Sequence, residues 1–336
     1  MSRHRAAPLM NRAWRATSRI ALIGIKAGKV HNRDDAPMAS LTDPVMPPSA
    51  GAEQARRRRR SRLHSALLLS AMAGLLALCG WLVAGWRGVS WSVLGGAVAF
   101  GFVARTPVDL FLAGMGAHVL SPEEAPGLLA MFALLCRRAG LERLPLLCHV
   151  DARLPLAFSI GRNDDTAVVI DDSLLIGLDR SELAGILAHE IAHLRSGDIV
   201  LKQIGFVLGW LTRVMSQLGV MLLVFGLLLR AFAAVRWPLL ALLVLTLAPI
   251  VVQLLQLALS RGREAEADLA AADLTGDPEA LAAALQKLRQ WQERGLRRVF
   301  PTGRVLHLPT LLNDHPPTEE RIRRLRRLAA RDAGIR

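Results

Sequence analysis

The sequence His189-Glu190-Ile191-Ala192-His193 lies in a stretch that carries the signals of a single helix. Asp179 is a typical N-cap residue, Glu182 completes a capping box, and Gly197 is typical of a helix end. Because side chains at positions i and i+4 of a helix project from the same face, the two histidines can bind one zinc ion, with Glu190 beside a water molecule on the metal. The alternative is an ordinary helix with two histidines on its polar face, so the rest of the chain has to decide.

The composition and charge of the chain indicate a membrane protein. Hydrophobic residues make up 52% of the 336 residues and the mean hydropathy is +0.32, which favours membrane segments over a larger soluble core. The net charge of +14 belongs to the two ends, since residues 1–63 hold 14 basic against 4 acidic side chains and residues 294–336 hold 11 against 4. Basic flanks beside apolar segments are typical of the cytoplasmic side and of contact with anionic lipid. No basic motif is interleaved with aromatic residues, so no nucleic-acid partner is expected.

The three cysteines, Cys79, Cys136 and Cys148, form no C-x-x-C pair. They indicate neither a disulfide framework nor a cysteine zinc site. This usage suits a reducing compartment.

Two apolar runs follow the basic N-terminal region, residues 1–63, which we expect to be disordered. Ser65–Trp86 carries no charge and is long enough to cross a bilayer, and Val89–Ala104 completes a hairpin at residues 64–105. The arginines immediately before the first run place the N-terminus inside. The chain therefore returns to the cytoplasm at residue 105.

A second pair of apolar runs, Gly205–Leu229 and Trp237–Leu259, predicts another transmembrane hairpin at residues 205–259. Arg213 in the first of these runs can extend its charge to the membrane interface. The alternative for this pair is a buried helical hairpin that never enters lipid.

Residues 106–204 have the composition of a soluble α/β domain. The sequence predicts a helix over Pro122–Ala139 and strands at Leu144–Val150, Ala157–Gly161 and Thr166–Ile170. Residues 260–336 supply the second part of this domain, with a third zinc ligand and a basic C-terminal helix. The expected fold class is α+β, mostly helical, with about four membrane helices and a cytosolic zincin-like metallopeptidase domain.

A candidate for the third ligand follows the last apolar run. Glu264 and Asp268 are four residues apart on an expected helix, which suits a carboxylate ligand and a second carboxylate that orients a ligand histidine. Taken alone, Glu264 is better explained by a solvated helix face. An even number of spans separates it from His193, however, so the three ligands can meet on one side. The metzincin pattern is excluded because Ser196 and Ile199 stand where it requires glycine and histidine.

The chain resembles the family of membrane-bound zinc metallopeptidases that includes the heat-shock protease HtpX and the CAAX prenyl endopeptidases. Three blocks carry the resemblance, in the family's order: Glu182–Asp198, Ser260–Ala271 and Asp314–Leu325. The resemblance implies an integral-membrane endopeptidase with a cytosolic active site that acts in quality control of membrane proteins. It also implies one zinc ion per chain, bound by His189, His193 and Glu264.

Two positions depart from the family pattern. Leu156-Ala157-Phe158 stands where many relatives have Asn-Ala-Phe in the edge strand expected to line the substrate. Ala265 stands where an aromatic residue is common. Neither position is a ligand or the base, so both departures concern substrate preference.

The expected reaction is zinc-dependent hydrolysis of peptide bonds in misfolded membrane or cytosolic proteins, with Glu190 as general base on a zinc-bound water. A further donor has to stabilise the oxyanion, and because the chain contains no tyrosine, His315 and Arg321 are the candidates. The alternative for His315 is a turn histidine before two prolines. The alternative for residues 321–331 is a solvated helix face or a contact with the membrane surface.

Three other classes of protein compete with this interpretation. A non-catalytic membrane scaffold that keeps zinc for stability is expected to lack the base, and Glu190 is present. An intramembrane protease is disfavoured because charged residues flank the histidine motif, and a transporter because Arg213 has no obvious acidic partner. We expect a multi-pass protein of the plasma membrane, with its active site on the cytoplasmic side and polypeptide substrates and the lipid bilayer as partners.

Overall fold

The computed structural model describes residues 48–151, 156–162, 165–230, 239–299 and 318–334. Within these ranges the helices are α1 (Pro48–Arg105), α2 (Val108–Met115), α3 (Pro126–Arg138), α4 (Asp172–Gly177), α5 (Arg180–Ser196), α6 (Asp198–Arg230), α7 (Leu239–Thr275), α8 (Pro278–Val299) and α9 (Thr318–Gly334). The strands are β1 (His118–Val119), β2 (Leu146–Val150), β3 (Ala157–Arg162) and β4 (Asp165–Asp171). The prediction of a mostly helical α+β fold is confirmed.

Helix α1 is bent between the two apolar runs that form the first predicted hairpin. The backbone leaves the helical region at Ala84 (φ −144°, ψ 24°) and Gly85 (φ 58°, ψ −142°), and the positive φ favours glycine. A Cβ atom on Gly80 would lie 2.6 Å from the carbonyl oxygen of Gly88, so the two arms of α1 touch through glycines. A larger residue at either position would push the arms apart.

Three of the described helices contain segments long and apolar enough to cross a membrane. They are Arg59–Arg105 with 47 residues, Asp198–Leu222 with 25 and Leu243–Thr275 with 33. Because the first segment is bent, this count agrees with the expectation of about four spans. Helix α7 continues through the predicted third-ligand block without interruption, so the last span and Glu264 lie on one helix.

The N-terminal basic region differs from the prediction where the structure describes it. Residues 48–63 were expected to be disordered, but they form the first turns of α1. Alanine, arginine, glutamate and glutamine dominate this stretch, and all four residue types favour helix. Residues 1–47 lie outside the described part of the chain.

The sequence predicts that helix α3 begins at Pro122, but it begins at Pro126. The preceding residues form a turn in which the Glu124 carboxylate accepts a hydrogen bond from the backbone N–H of Ser121 at 3.0 Å. Pro126 then occupies the first helical turn, where the N–H that proline lacks has no partner within the helix.

The four strands form a sheet in the order β1-β2-β4-β3. Strands β2 and β4 are parallel, while β1 and β3 pair antiparallel at the two edges. The three strands predicted from sequence are found as β2, β3 and β4. Strand β3 lies at one edge, where it packs near α5 and α6.

Helix α5 lies at the centre of the main hydrophobic core. Its Leu187 and Ile191 are completely buried. The core packs this helix against the sheet through Val168 and Ile170, and against α7, α8 and α9 through residues such as Leu281. The helix with the two histidines is thereby fixed on several sides, which gives the site a rigid base.

Candidate metal and active site

Helix α5 begins and ends where the sequence predicts. The Asp179 carboxylate accepts a hydrogen bond from the backbone N–H of Glu182 at 2.9 Å, and Glu182 Oε2 accepts one from the backbone N–H of Asp179 at 2.9 Å. Gly197 ends the helix with a φ of 72°. Lys287 of α8 pairs with Glu182, so the capping box is also held by the core of the domain.

Three side chains converge into one possible metal site. One ligand atom each from His189, His193 and Glu264 lies within 4.8 Å of the other two. His189 Nε2 is 3.3 Å from Glu264 Oε2, and His193 Nε2 is 3.4 Å from Glu264 Oε1. Ligand atoms bound to a tetrahedral zinc ion at about 2.0–2.1 Å lie roughly 3.3 Å apart, so the donors fit an ion of this size. Three protein ligands leave the fourth position open.

The surroundings of the site favour positive charge. Burial alone lowers the pKa of His189, but the carboxylates of Asp268 and Glu264 raise it to about 9. Glu264 itself is completely buried. A buried carboxylate between two imidazoles favours a cation beside it, and a divalent metal ion is suited to this position.

A carboxylate lies behind each histidine. Asp268 Oδ1 is 3.1 Å from His189 Nδ1, and Asp198 Oδ2 is 2.8 Å from His193 Nδ1. The hydrogen bond with Asp198 holds the proton on Nδ1 of His193 and leaves its Nε2 available for a metal ion, while Asp268 lies within ion-pair distance of His189 Nδ1. Both imidazoles are therefore oriented toward Glu264.

A buried guanidinium group lies behind each carboxylate. Arg321 of α9 donates to Asp268 through Nε at 2.8 Å and through Nη2 at 2.6 Å, and its Nη1 is 3.0 Å from Glu264 Oε2. Arg263 of α7 donates through Nε to Asp198. Burial alone lowers the pKa of Arg321, but Asp268 and Glu264 raise it above its ordinary value, so this charge is permanent.

The comparisons with known proteins show the family of the chain. The family model described as "Peptidase family M48" matches residues 124–329, which is more than half of the chain. The chain belongs to peptidase family M48. A protein named "Protease HtpX homolog" from Pyrococcus furiosus is 34% identical over 284 residues, covering 80% of this chain and 96% of its own. One of the same name from Persephonella marina is 34% identical over 288 residues, covering 81% and 99%.

Among solved structures, Ste24p from S. mikatae matches with a TM-score of 0.47 and 20% sequence identity. The match covers 80% of this chain and 66% of that chain. The family, the relatives and the apolar helices together identify a membrane-bound metalloprotease. A family of metalloproteases implies a metal ion, and the His-His-Glu group is suited to hold it.

The predicted catalytic residues of this M48 peptidase differ in how far the structure describes them. Glu190 directly follows His189 on α5 and is 8% exposed. Arg321 lies at the site, because its Nη1 is 3.0 Å from Glu264 Oε2 and its Nη2 is 2.6 Å from Asp268 Oδ1. His315 lies outside the described residues.

Three residues near the metal site of the peptidase were not singled out from the sequence: Asp198, Lys202 and Arg263. Asp198 directly follows Gly197, so its place at a helix start was a usable signal. Lys202 Nζ lies 3.2 Å from Glu264 Oε1, one turn further along α6. Arg263 directly precedes Glu264, but its contact with Asp198 joins residues 65 positions apart in the chain.

Proposed function

We propose that this peptidase is a zinc-dependent endopeptidase that hydrolyses peptide bonds in misfolded membrane or cytosolic proteins. The convergence of His189, His193 and Glu264, each with its ligand atoms directed into one buried site, carries the proposal. One such group is found in the described ranges, which supports one zinc ion per chain. Glu190 adjoins the ligands, as a general base requires.

Each residue has a distinct chemical role in the proposed reaction. His189, His193 and Glu264 would hold a zinc ion, which would polarise the scissile carbonyl and lower the pKa of a water molecule toward about 7. Glu190 would accept a proton from this water as its oxygen bonds to the carbonyl carbon, and would pass the proton to the amine that leaves when the C–N bond breaks. Arg321 supplies a fixed positive charge beside Glu264 that stabilises the negative charge formed on the carbonyl oxygen. His315 is the other proposed donor for this oxygen.

The position of β3 supports a polypeptide substrate. This strand is hydrogen-bonded to β4 on one side and forms the edge of the sheet. An extended peptide can add to such an edge as a further strand, and α5 lies next to it. Because Leu156 precedes β3 at a position that is often polar in relatives, we propose that the substrate contact there is apolar.

The charge distribution supports an active site on the cytoplasmic side of the plasma membrane. The basic residues before the first apolar segment favour a cytoplasmic N-terminus. Helix α6 and the apolar first part of α7 lie between His193 and Glu264 in the chain, and two crossings return the chain to the side that it left. The metal ligands then face the cytoplasm together.

The test compares zinc content and casein cleavage of the detergent-purified protein with those of Glu190→Gln and Glu264→Ala. We expect the parent to bind zinc and cleave casein, Glu190→Gln to keep zinc without cleavage, and Glu264→Ala to lose both. Glu123→Gln is the matched control, because Glu123 is an exposed carboxylate in the turn before α3. It is expected to behave as the parent does.

A different result would favour the scaffold alternative. If the parent binds zinc but cleaves neither casein nor candidate membrane substrates, the site has a structural role only. If Glu190→Gln cleaves as well as the parent, Glu190 is not the base.

A further inference from the structure

A series of hydrogen bonds connects His193 to the first membrane helix. Asp198 Oδ2 lies 2.8 Å from His193 Nδ1, and the other oxygen of the same carboxylate accepts a hydrogen bond from Arg263 Nε. Arg263 Nη1 then donates to the hydroxyl oxygen of Ser61 at 2.7 Å. The four residues come from α5, α6, α7 and α1, so one chain of contacts joins a candidate ligand to the first membrane helix.

Arg263 is placed to fix this chain of contacts rigidly. It is 3% exposed, and Asp198 is completely buried. Its planar guanidinium group has several donors in a fixed arrangement. These donors contact Asp198, Ser61 and Glu266, the last at 2.9 Å. Because the three acceptors lie on different segments, the guanidinium group can hold them only in one relative position.

The position of Asp198 decides how His193 presents its ring. A carboxylate that accepts the Nδ1 proton fixes both the tautomer and the ring orientation of a histidine ligand. With Asp198 held, His193 Nε2 is directed toward Glu264 at 3.4 Å. Without Arg263, Asp198 would be a buried carboxylate with one less partner, and the imidazole would lose its fixed orientation.

We propose that Arg263 is a positioning residue for the metal centre, which holds His193 through Asp198 and ties this ligand to the first membrane helix through Ser61. The inference rests on the proposed zinc ligands His189, His193 and Glu264. It adds that the affinity of the site depends on the docking of α1, although α1 supplies none of these ligands.

The test measures the zinc dissociation constant of the full-length protein in detergent by competition with a chelator. Arg263→Met is expected to raise the constant about 10- to 100-fold, the usual effect of losing a residue that supports a metal ligand. Arg263→Lys keeps a donor for Asp198 and is expected to recover part of the loss. Arg261→Met is the matched control, because Arg261 lies on the same helix but is exposed; it is expected to bind zinc as the parent does.

Ser61→Ala tests the connection to the first membrane helix. The change removes a hydroxyl that contacts Arg263 and none of the proposed ligands, so zinc binding is expected to weaken only about threefold, less than the full contribution of a hydrogen bond to a charged group. In the Arg263→Met background the same change is expected to have no further effect, because its partner is gone. If Arg263→Met does not fold, Arg263→Lys and Ser61→Ala still test the inference.

The outcomes separate this inference from the proposed function. If the parent binds no zinc, the proposed function fails. If the parent binds zinc and folded Arg263→Met binds it within twofold, Arg263 does not position the ligand. If Arg263→Met does not fold, unchanged affinity in both Arg263→Lys and Ser61→Ala overturns the inference in the same way.

Discussion

We call the carboxylate and the arginine behind each proposed histidine ligand the support of that histidine. The two supports have the same chemistry but lead to different parts of the molecule. Behind His189 stand Asp268 and then Arg321, and behind His193 stand Asp198 and then Arg263. Arg321 belongs to α9, outside the candidate membrane segments, and also contacts the ligand Glu264 at 3.0 Å. Arg263 donates to Ser61 of α1.

The two arginines are therefore expected to have different functions, one on the charges of the reaction and one on the position of a ligand. In the proposed reaction, a guanidinium group beside Glu264 would act on the charges that change at the reaction centre. A guanidinium group behind Asp198 acts only on the position of a ligand. We therefore expect changes in the His189 support to lower both metal affinity and turnover, and changes in the His193 support to lower metal affinity alone.

The largest expected effect belongs to Arg321→Met. In saturating zinc, kcat should fall about 100- to 1000-fold, the usual cost of removing a positioned donor from an active site. Steady-state cleavage of a fluorogenic peptide measures it. Arg324→Met is the control, because Arg324 lies on the same helix, is half exposed and pairs with Glu320. A kcat of Arg321→Met close to that of the parent at saturating zinc would show that the two supports are equivalent.

Asp268→Asn and Asp198→Asn are expected to differ in kcat, by less than Arg321→Met differs from the parent. Both changes remove a carboxylate that holds a histidine, and both should weaken zinc binding about 10- to 100-fold. Saturating zinc should restore the kcat of Asp198→Asn, whereas Asp268→Asn should remain impaired because Arg321 has lost its main partner. Titration of activity against free zinc distinguishes the two variants. Equal recovery of both would remove the distinction between the supports.

Asp268 of the His189 support was predictable from the sequence, whereas its contact with Arg321 and the whole His193 support were not. Local rules were sufficient for α5, since Asp179 and Gly197 mark its ends, and the i to i+4 spacing was sufficient to pair Glu264 with Asp268. The contact between Arg263 and Asp198 depends on how α6 and α7 pack, which no local pattern specifies. The start of α3 was misplaced for a related reason, because two prolines competed for the first helical turn and the Glu124 turn favoured the second.

A double-mutant cycle sharpens the comparison further. Arg263→Met and Asp198→Asn act on one contact, so their effects on the free energy of zinc binding should fall short of additivity by about 0.5–3 kcal/mol. Arg263→Met and Asp268→Asn belong to different supports, so their effects should add. Zinc dissociation constants of the parent, the single variants and the two double variants provide the measurement. A coupling of equal size in both cycles would mean that the supports act as one network.

The smallest expected effect concerns Lys202, which stands on the His193 side of Glu264 as Arg321 stands on the His189 side. Lys202 Nζ is 3.2 Å from Glu264 Oε1, but its side chain is 41% exposed, against 10% for Arg321. Water screens an exposed ion pair, and such pairs usually contribute about 0–1 kcal/mol, so Lys202→Met should change the affinity for zinc by less than about fivefold. The small effect should shrink further in high salt, whereas that of Arg321→Met should not. A tenfold loss in Lys202→Met would show instead that both oxygens of Glu264 need a cation, and that the His193 side depends on charge as strongly as the other.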